Sequence, residues 1–386
     1  MMIKESRVYL MNADGNLIFQ KQTVMKIDKA AIAFNVNAIR TKIGSARLIA
    51  VVKENGYGMG LKREYEILKE EKIDFYAVTN ANEALALREF GCTEDILLMS
   101  PSFDFEEALM LHAKNIIFML GSIRQAEILK AVYEKTSVKP RAHLAIETGM
   151  GRYGFLWNKL PDLSSLPSYI QIEGCYSHLN GRPKKYEEEA KRQKDCLLKA
   201  CESLKAMGID PGMRHICNSA GTMVFGAFGL DAVRCGSALL GKVARGASAL
   251  KNSVWLEAPI CLITELPKGS SVGYQACAVL DKDSKLGLVR AGHGDGIMLG
   301  YTDNPEPLFH GILHLLAVKL RKSRYQKTVT VVNKANGKTK NVPFVGRSGV
   351  AHVMIDLTGT DFSEGDIVKF NVNPLFIHPS IKKDLV

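Results

Sequence analysis

Between Ile27 and about Gly241, short apolar runs alternate with amphipathic, helix-length segments, and this alternation narrows the fold more than any other feature of the chain. The strand candidates are residues 48–53, 75–79, 96–100, 116–120, 142–147, 172–178, 214–218 and 232–235. The segments between them, such as 81–90 and 184–207, have helical charge and hydrophobic periodicity. Near-continuous apolar strands joined by helices imply a parallel sheet, because both of its faces must be covered. Eight such units in roughly 215 residues fit an α/β fold of the closed (β/α)₈ TIM-barrel type. An open doubly wound sheet is the alternative, and the number of similar units favours closure.

After about Ser253 the pattern shortens to alternating runs at 254–264, 276–280, 286–290, 329–332, 350–356 and 367–370. Turn signals such as Pro267-Lys268-Gly269 and Glu364-Gly365-Asp366 separate them, so an all-β C-terminal domain is expected. The first twenty-odd residues also read as β, with Asn12-Ala13-Asp14-Gly15-Asn16 as a hairpin turn. The expected divisions are a hairpin over 1–25 that packs on the C-terminal domain, a barrel over 26–250 and a β domain over 251–386.

A formal net charge of +11 favours anionic partners, but the lysines are scattered. Only residues 319–340 are locally basic, and there Thr328-Val329-Thr330-Val331-Val332 with a Lys334-Ala335-Asn336-Gly337 turn reads as a solvated hairpin rather than a nucleic-acid motif. Eight widely spaced cysteines form no Cys-x-x-Cys or zinc pattern, so reduced thiols and no metal are expected. Residues 1–20 lack the design of a secretory signal, and no apolar run reaches the length of a membrane span. A soluble, cytoplasmic protein without membrane or nucleic-acid partners is the expectation.

Barrel active sites gather at the C-terminal ends of the strands, so polar residues there carry the chemistry. The first strand candidate ends at Lys53, with Tyr57 in the loop that follows. The fifth runs into Glu147-Thr148-Gly149-Met150-Gly151-Arg152, the sixth ends at Ser177-His178, the seventh at Asn218-Ser219, and the eighth at Arg234 before Gly236-Ser237. A lysine at a buried strand end is a candidate amine nucleophile toward a carbonyl cofactor. Read alone, Lys53 is more simply a strand-end charge that reaches water. The convergence of a lysine, two arginines, a histidine, a serine and a tyrosine on one face is what points to a site.

Residues 51–60, Val-Val-Lys-Glu-Asn-Gly-Tyr-Gly-Met-Gly, are followed in order by Thr148-Gly149-Met150-Gly151-Arg152, Ser177-His178, Asn218-Ser219-Ala220, Val233-Arg234-x-Gly236, Val272-Gly273-Tyr274, Gly292-x-x-Asp295-Gly296 and Val345-Gly346-Arg347. This ordered set resembles the alanine racemase family, fold type III enzymes dependent on pyridoxal 5′-phosphate. The family's first segment reads Val-Val-Lys-Ala-Asn-Ala-Tyr-Gly-His-Gly, so Glu54, Gly56 and Met59 depart from it.

The resemblance implies an amino-acid racemase that interconverts L and D forms with two bases. Lys53 would hold the cofactor covalently and serve as one base. Tyr274, supplied by the partner subunit of a head-to-tail homodimer, would be the other. Tyr57, Ser219 and the amides of Gly236 and Ser237 would hold the phosphate, with Asn218 beside them. His178 would lie against the ring. Arg234 would donate to the ring nitrogen without surrendering its proton, leaving the cofactor a weaker electron sink and disfavouring transamination. Arg152 would receive the substrate carboxylate.

Several positions depart from the family. Ala145 replaces a lysine, often carbamylated, that orients the arginine matching Arg152, and Glu147 or an anion would take over part of that role. His293 replaces a tyrosine at the substrate entrance, and Val350 lies in the segment Arg347-Ser348-Gly349-Val350-Ala351-His352, which replaces the family's Arg-x-Cys-Met-Asp. Asn373-Pro374-Leu375-Phe376 lacks the family's phosphate-binding tyrosine. The cofactor side is retained while the substrate side is altered, so a free amino acid other than alanine is a candidate substrate. A fold type III lyase (dehydratase, aldolase or decarboxylase) is the second reading, and a non-catalytic cofactor-binding protein the third. Tyr274, the second domain and the lack of a His/Cys zinc pattern favour the racemase.

Overall fold

Eight of the apolar runs form parallel strands: β1 (Arg47–Val51), β2 (Phe75–Val78), β3 (Asp95–Leu98), β4 (Ile117–Leu120), β5 (Arg141–Glu147), β6 (Gln171–Tyr176), β7 (Met213–His215) and β8 (Ala232–Cys235). The structure is a computed structural model that describes residues 9–11, 17–19, 23–181, 187–243, 249–273, 276–297 and 328–386. Each strand pairs in parallel with its sequence neighbours, and β8 pairs with β1 through Val233–Leu48 and Arg234–Ile49, so the sheet closes. The open-sheet alternative is excluded. By their contacts the residues divide into two units, Asp28–Ser253 and Met1–Ile27 with Val254–Val386.

The barrel interior is filled by inward side chains, among them Ile49, Val51, Phe75, Ala77, Leu97 and Ile117, all buried. Burial of such side chains is the main favourable term in folding. The helices start where a capping residue meets the loop. Asp28, Asn80, Asp104, Ser122 and Asn218 each accept an N–H from the first turn of the helix that follows. At the N-terminal ends of the strands, Arg47 bridges Asp74 and Asp95 at 3.2 Å, while Arg141 bridges Asp95 and Glu173 at 2.8 Å. These pairs are partly exposed and stitch four strands together at modest individual gain.

In the other unit, six antiparallel strands close a second, smaller barrel in the order Ser284–Val289, Val353–Asp356, Thr339–Val345, Thr328–Val332, Ile367–Phe370 and Val254–Leu266. The last strand is long and serves twice. Its residues 256–259 pair with Ile367–Phe370, and residues 260–266 pair with Ser284–Val289 with a register shift between Ile260 and Leu262. Val24–Ile27 and Lys382–Leu385 extend the sheet. The hairpin around Lys334-Ala335-Asn336-Gly337 is present, and Tyr9–Met11 pairs with Leu17–Phe19. Two strand assignments are corrected. Strand follows Val353 rather than Val350, because Gly349 and His352 bond to each other across a loop, and β1 stops at Val51.

Candidate active site

Beyond Val51 the chain cannot continue as a strand, because Glu54, Asn55, Gly56 and Tyr57 adopt left-handed φ values of 53°, 53°, 63° and 48°. Such a run is costly for residues other than glycine, so the surroundings must hold it. Buried Glu83 accepts the Asn55 N–H at 3.0 Å, and Asn55 Oδ1 accepts the Leu61 N–H at 2.9 Å. The effect is to place Lys53 and Tyr57 on one side of a tight left-handed turn. Lys53 therefore opens this turn rather than ending the strand.

A cavity of about 510 Å³ lies at the C-terminal ends of the barrel strands. Lys53, Tyr57, Arg152, His178, Asn218, Ser219, Arg234, Gly236 and Ser237 all line it, so every site residue expected from the barrel is brought together. Tyr274 lies outside the described residues. His293 and Val350 belong to the other unit and meet one another's loops. The His293 N–H donates to Gly349 O and the Gly294 N–H to Val350 O, both at 2.9 Å, while Val350 is 64% exposed.

Arg234 forms the floor of the cavity. It is buried, and four of its contacts are made by two nitrogens: Nη1 to His215 Nδ1 and carbonyl O, Nη2 to Ser177 O at 2.7 Å and His178 Nδ1 at 3.2 Å. Five guanidinium protons are available, so Nε–H is left without a protein acceptor among the described residues. Burial lowers Arg234 to about 10, which still leaves it charged at neutral pH. Its cation in turn acts on the histidines. Burial first, then the charges of Arg234, Arg152 and Lys53, holds His178 down to about 3, so the ring facing the cavity is neutral.

Behind Arg234 the barrel core carries a polar chain. Because Arg234 donates to His215 Nδ1, the proton of that ring sits on Nε2, which meets His143 Nδ1 at 2.9 Å. Tyr176 stacks on His215 with ring centroids 4.9 Å apart. His143 and His215 were not singled out from sequence. The available signal is a histidine within the apolar run of β5 at His143, and, at His215, a histidine just before the apolar Ile216-Cys217 that follows β7.

Ser219 Oγ accepts the N–H groups of Gly236 at 3.0 Å and Ala238 at 3.1 Å, so its own proton remains to donate. A Cβ at position 236 would lie 2.0 Å from Tyr57 Oη, so only glycine lets the phenol rest on this turn. At the rim, Glu147 accepts the N–H groups of Gly149, of Gly151 at 2.7 Å and of Arg152 at 3.2 Å. It thus shapes the loop backbone and does not bind the Arg152 guanidinium, which lies over the Tyr153 ring at 5.2 Å from its centroid. Ala145 packs with Met119 and Tyr176 in an apolar cluster.

A closed parallel barrel with a lysine, an anion cradle and a buried arginine at its mouth, joined in sequence to an antiparallel β unit, is the architecture of pyridoxal-phosphate-dependent racemases. The alanine racemase N-terminal domain matches residues 27–243 and the C-terminal domain residues 253–373. The alanine racemase of Clostridium tetani is 31% identical over 283 residues, covering 70% of this chain and 72% of the relative. Alanine racemase 2 of Caldanaerobacter subterraneus is 26% identical over 361 residues, covering 90% and 85%. Among solved structures, the enzyme from a D-cycloserine-producing Streptomyces lavendulae aligns with a TM-score of 0.76 at 22% identity over 95% of this chain and 97% of that one. The Bartonella henselae enzyme, with covalently bound pyridoxal phosphate, aligns at 0.75 and 22% over 94% and 99%. The chain belongs to the alanine racemase family and is a pyridoxal-phosphate-dependent amino-acid racemase, an isomerase.

The residues present fit that cofactor. The Gly236 turn has room for no side chain beside the Tyr57 phenol, the Ser219 hydroxyl retains a proton for an oxyanion, and Arg234 keeps one N–H for a ring acceptor. Among the described residues no helix is long and apolar enough to cross a membrane.

Proposed function

We propose that Lys53 and Tyr274 are the two bases of this racemase and that the other cavity residues hold its cofactor and substrate. The gathering of Lys53, the Tyr57–Ser219–Gly236 cradle and Arg234 around one cavity carries the reading. Pyridoxal phosphate, when bound, draws electrons from the substrate Cα and makes its proton acidic. Tyr57 and Ser219 donate O–H groups, and Gly236 and Ser237 contribute the turn, that hold the phosphate. Asn218 caps the following helix and accepts the Gly221 N–H at 3.0 Å, with its side chain 3.3 Å from His178 Nε2, so the capped turn lies beside the neutral ring.

Arg234 would hold the ring nitrogen through its Nε–H without surrendering that proton, which would limit how much charge the ring accepts and disfavour side reactions. Arg152 binds the substrate carboxylate. Lys53 Nζ removes or returns the Cα proton on one face, and the Tyr274 hydroxyl does so on the other. Tyr274 is supplied by a second copy in a head-to-tail homodimer, with His293 and Val350 at the substrate entrance. The substrate is a free amino acid, alanine or a relative with a different side chain. The divisions at 1–25, 26–250 and 251–386, with the hairpin on the β domain, and a cytoplasmic setting belong to the same proposal.

The test incubates the purified enzyme with individual amino acids in deuterated water. Inverted chirality with solvent deuterium at Cα supports the reading; release of ammonia or carbon dioxide without inversion overturns it in favour of a lyase.

A further inference from the structure

The helix Glu187–Ala206 buries an apolar stripe that includes Ala190, Leu197, Ala200 and Leu204, and one polar residue sits within it. This is Gln193, only 1% exposed. A buried amide is disfavoured unless its donors and acceptor are met, and an apolar side chain would fill the position without that demand. All three demands are met here. Nε2 reaches Thr148 Oγ1 at 3.4 Å and the His178 carbonyl at 3.2 Å, and Oε1 accepts the Asn180 N–H at 3.2 Å.

Those partners lie on two different loops. Thr148 opens the loop that carries Arg152, whereas His178 and Asn180 belong to the loop after β6. Two further bonds tie the same loops together, Thr148 Oγ1 to Ser177 Oγ at 2.6 Å and Asn180 Nδ2 to Gly149 O at 2.7 Å. A Cβ at Gly149 would come within 2.9 Å of Arg192 Nη2 and 3.3 Å of Gln193 Nε2, so the loop backbone rests directly on this helix.

The geometry points to Gln193 as a positioning residue that fixes the loop bearing Arg152 against the loop bearing His178. Its effect on the reaction rests on the roles proposed above, since the offset between the substrate's arginine and the cofactor's histidine sets where Cα stands relative to Lys53. A misplacement of about 1 Å can cost on the order of 10²-fold in rate.

The test uses Gln193→Met, nearly isosteric, and Thr148→Val, which removes a partner without altering the helix. Both variants should retain the far-ultraviolet circular dichroism and covalent cofactor of the wild type. KM for the amino acid should rise about 10-fold with a smaller change in kcat, and the absorption maximum of the bound cofactor should shift in Gln193→Met. In cofactor-free Gln193→Met protein, amide exchange over 148–152 and 177–180 should accelerate together while the barrel strands keep their protection. Unchanged exchange, or acceleration of one loop alone, overturns the proposal, as does a wild-type KM. If Gln193→Met does not fold, the KM and exchange of Thr148→Val decide. Should the wild type hold no cofactor and act on no amino acid, the proposed function fails, and the exchange comparison still decides the role of Gln193.

Discussion

The floor and the rim of the barrel cavity are built on different terms. On the floor, Arg234, His215 and Ser177 are all at most 3% exposed and bonded to one another across β6, β7 and β8. At the rim, Met150 is 36% and Tyr153 41% exposed, and Arg152 has no carboxylate partner among the described residues. Both regions present a cation to the cavity. One is locked by strand residues before any guest arrives, whereas the other hangs from a loop whose order comes from Glu147, Gln193 and Thr148. The floor is therefore preorganised, as the proposed cofactor site requires, and the rim is left adjustable, as the proposed substrate site requires.

The largest expected effect tests whether Lys53 joins the two regions. Lys53→Ala should remove covalent attachment of the cofactor, read by mass spectrometry after borohydride reduction, and lower racemisation by more than about 10³-fold. Retained attachment would move the covalent site elsewhere. Next comes Tyr274→Phe, which should keep the cofactor and slow solvent exchange from one enantiomer by about 10²-fold or more relative to the other. Equal exchange from both enantiomers at the wild-type rate would remove Tyr274 from the chemistry.

The two arginines should then separate cleanly. Arg234→Gln leaves buried acceptors on His215 and Ser177 unmet, and should destabilise the fold by about 3 kcal/mol, measured by urea unfolding. Arg152→Gln should change stability by less than about 0.5 kcal/mol while raising KM about 10-fold or more for the amino acid. Similar unfolding losses in the two variants would erase the distinction between floor and rim.

The mildest perturbation, a change of pH that alters no residue, also acts on the floor. Burial holds His143 and His178 down to about 3 and His215 well below its ordinary value. Their unfolded values lie near 6.5, so below that pH the unfolded chain binds protons that the native state does not. Their contribution to stability is thus fully present above about pH 6.5 and is lost as pH falls toward 3. Each histidine costs roughly 1.4 kcal/mol per pH unit on the way. Calorimetry between pH 7 and pH 5 should show a steadily falling midpoint, and a flat profile would mean that the floor admits imidazolium.

How much of this was legible beforehand differs in the same way. The residues that line the cavity follow strand ends, where a polar side chain after an apolar run announces itself, and Lys53, Tyr57, Arg152, His178 and Arg234 are all readable there. The residues that hold them were not. His143 sits inside a largely apolar strand, His215 ends a three-residue strand after Arg214, and Gln193 lies inside an apolar helix stripe, so none declares a role until its partner, up to 72 residues away, is in contact. The position of Glu147 suggests that it takes over part of the orienting role toward Arg152, yet its carboxylate is spent on backbone N–H groups of its own loop.

Local pattern by itself determined the alternation of strands and helices, the change to a β unit after Ser253 and the face on which the chemistry gathers. These follow from hydrophobic period and turn chemistry, which act over a few residues. Only the tertiary structure decided that the sheet closes, that Lys53 opens a left-handed turn held by Glu83, and that a guanidinium in the barrel floor keeps one proton without an acceptor among the described residues while two histidines stay neutral behind it. Those outcomes depend on burial and on hydrogen bonds between strands far apart in sequence, and neither is written in any single segment.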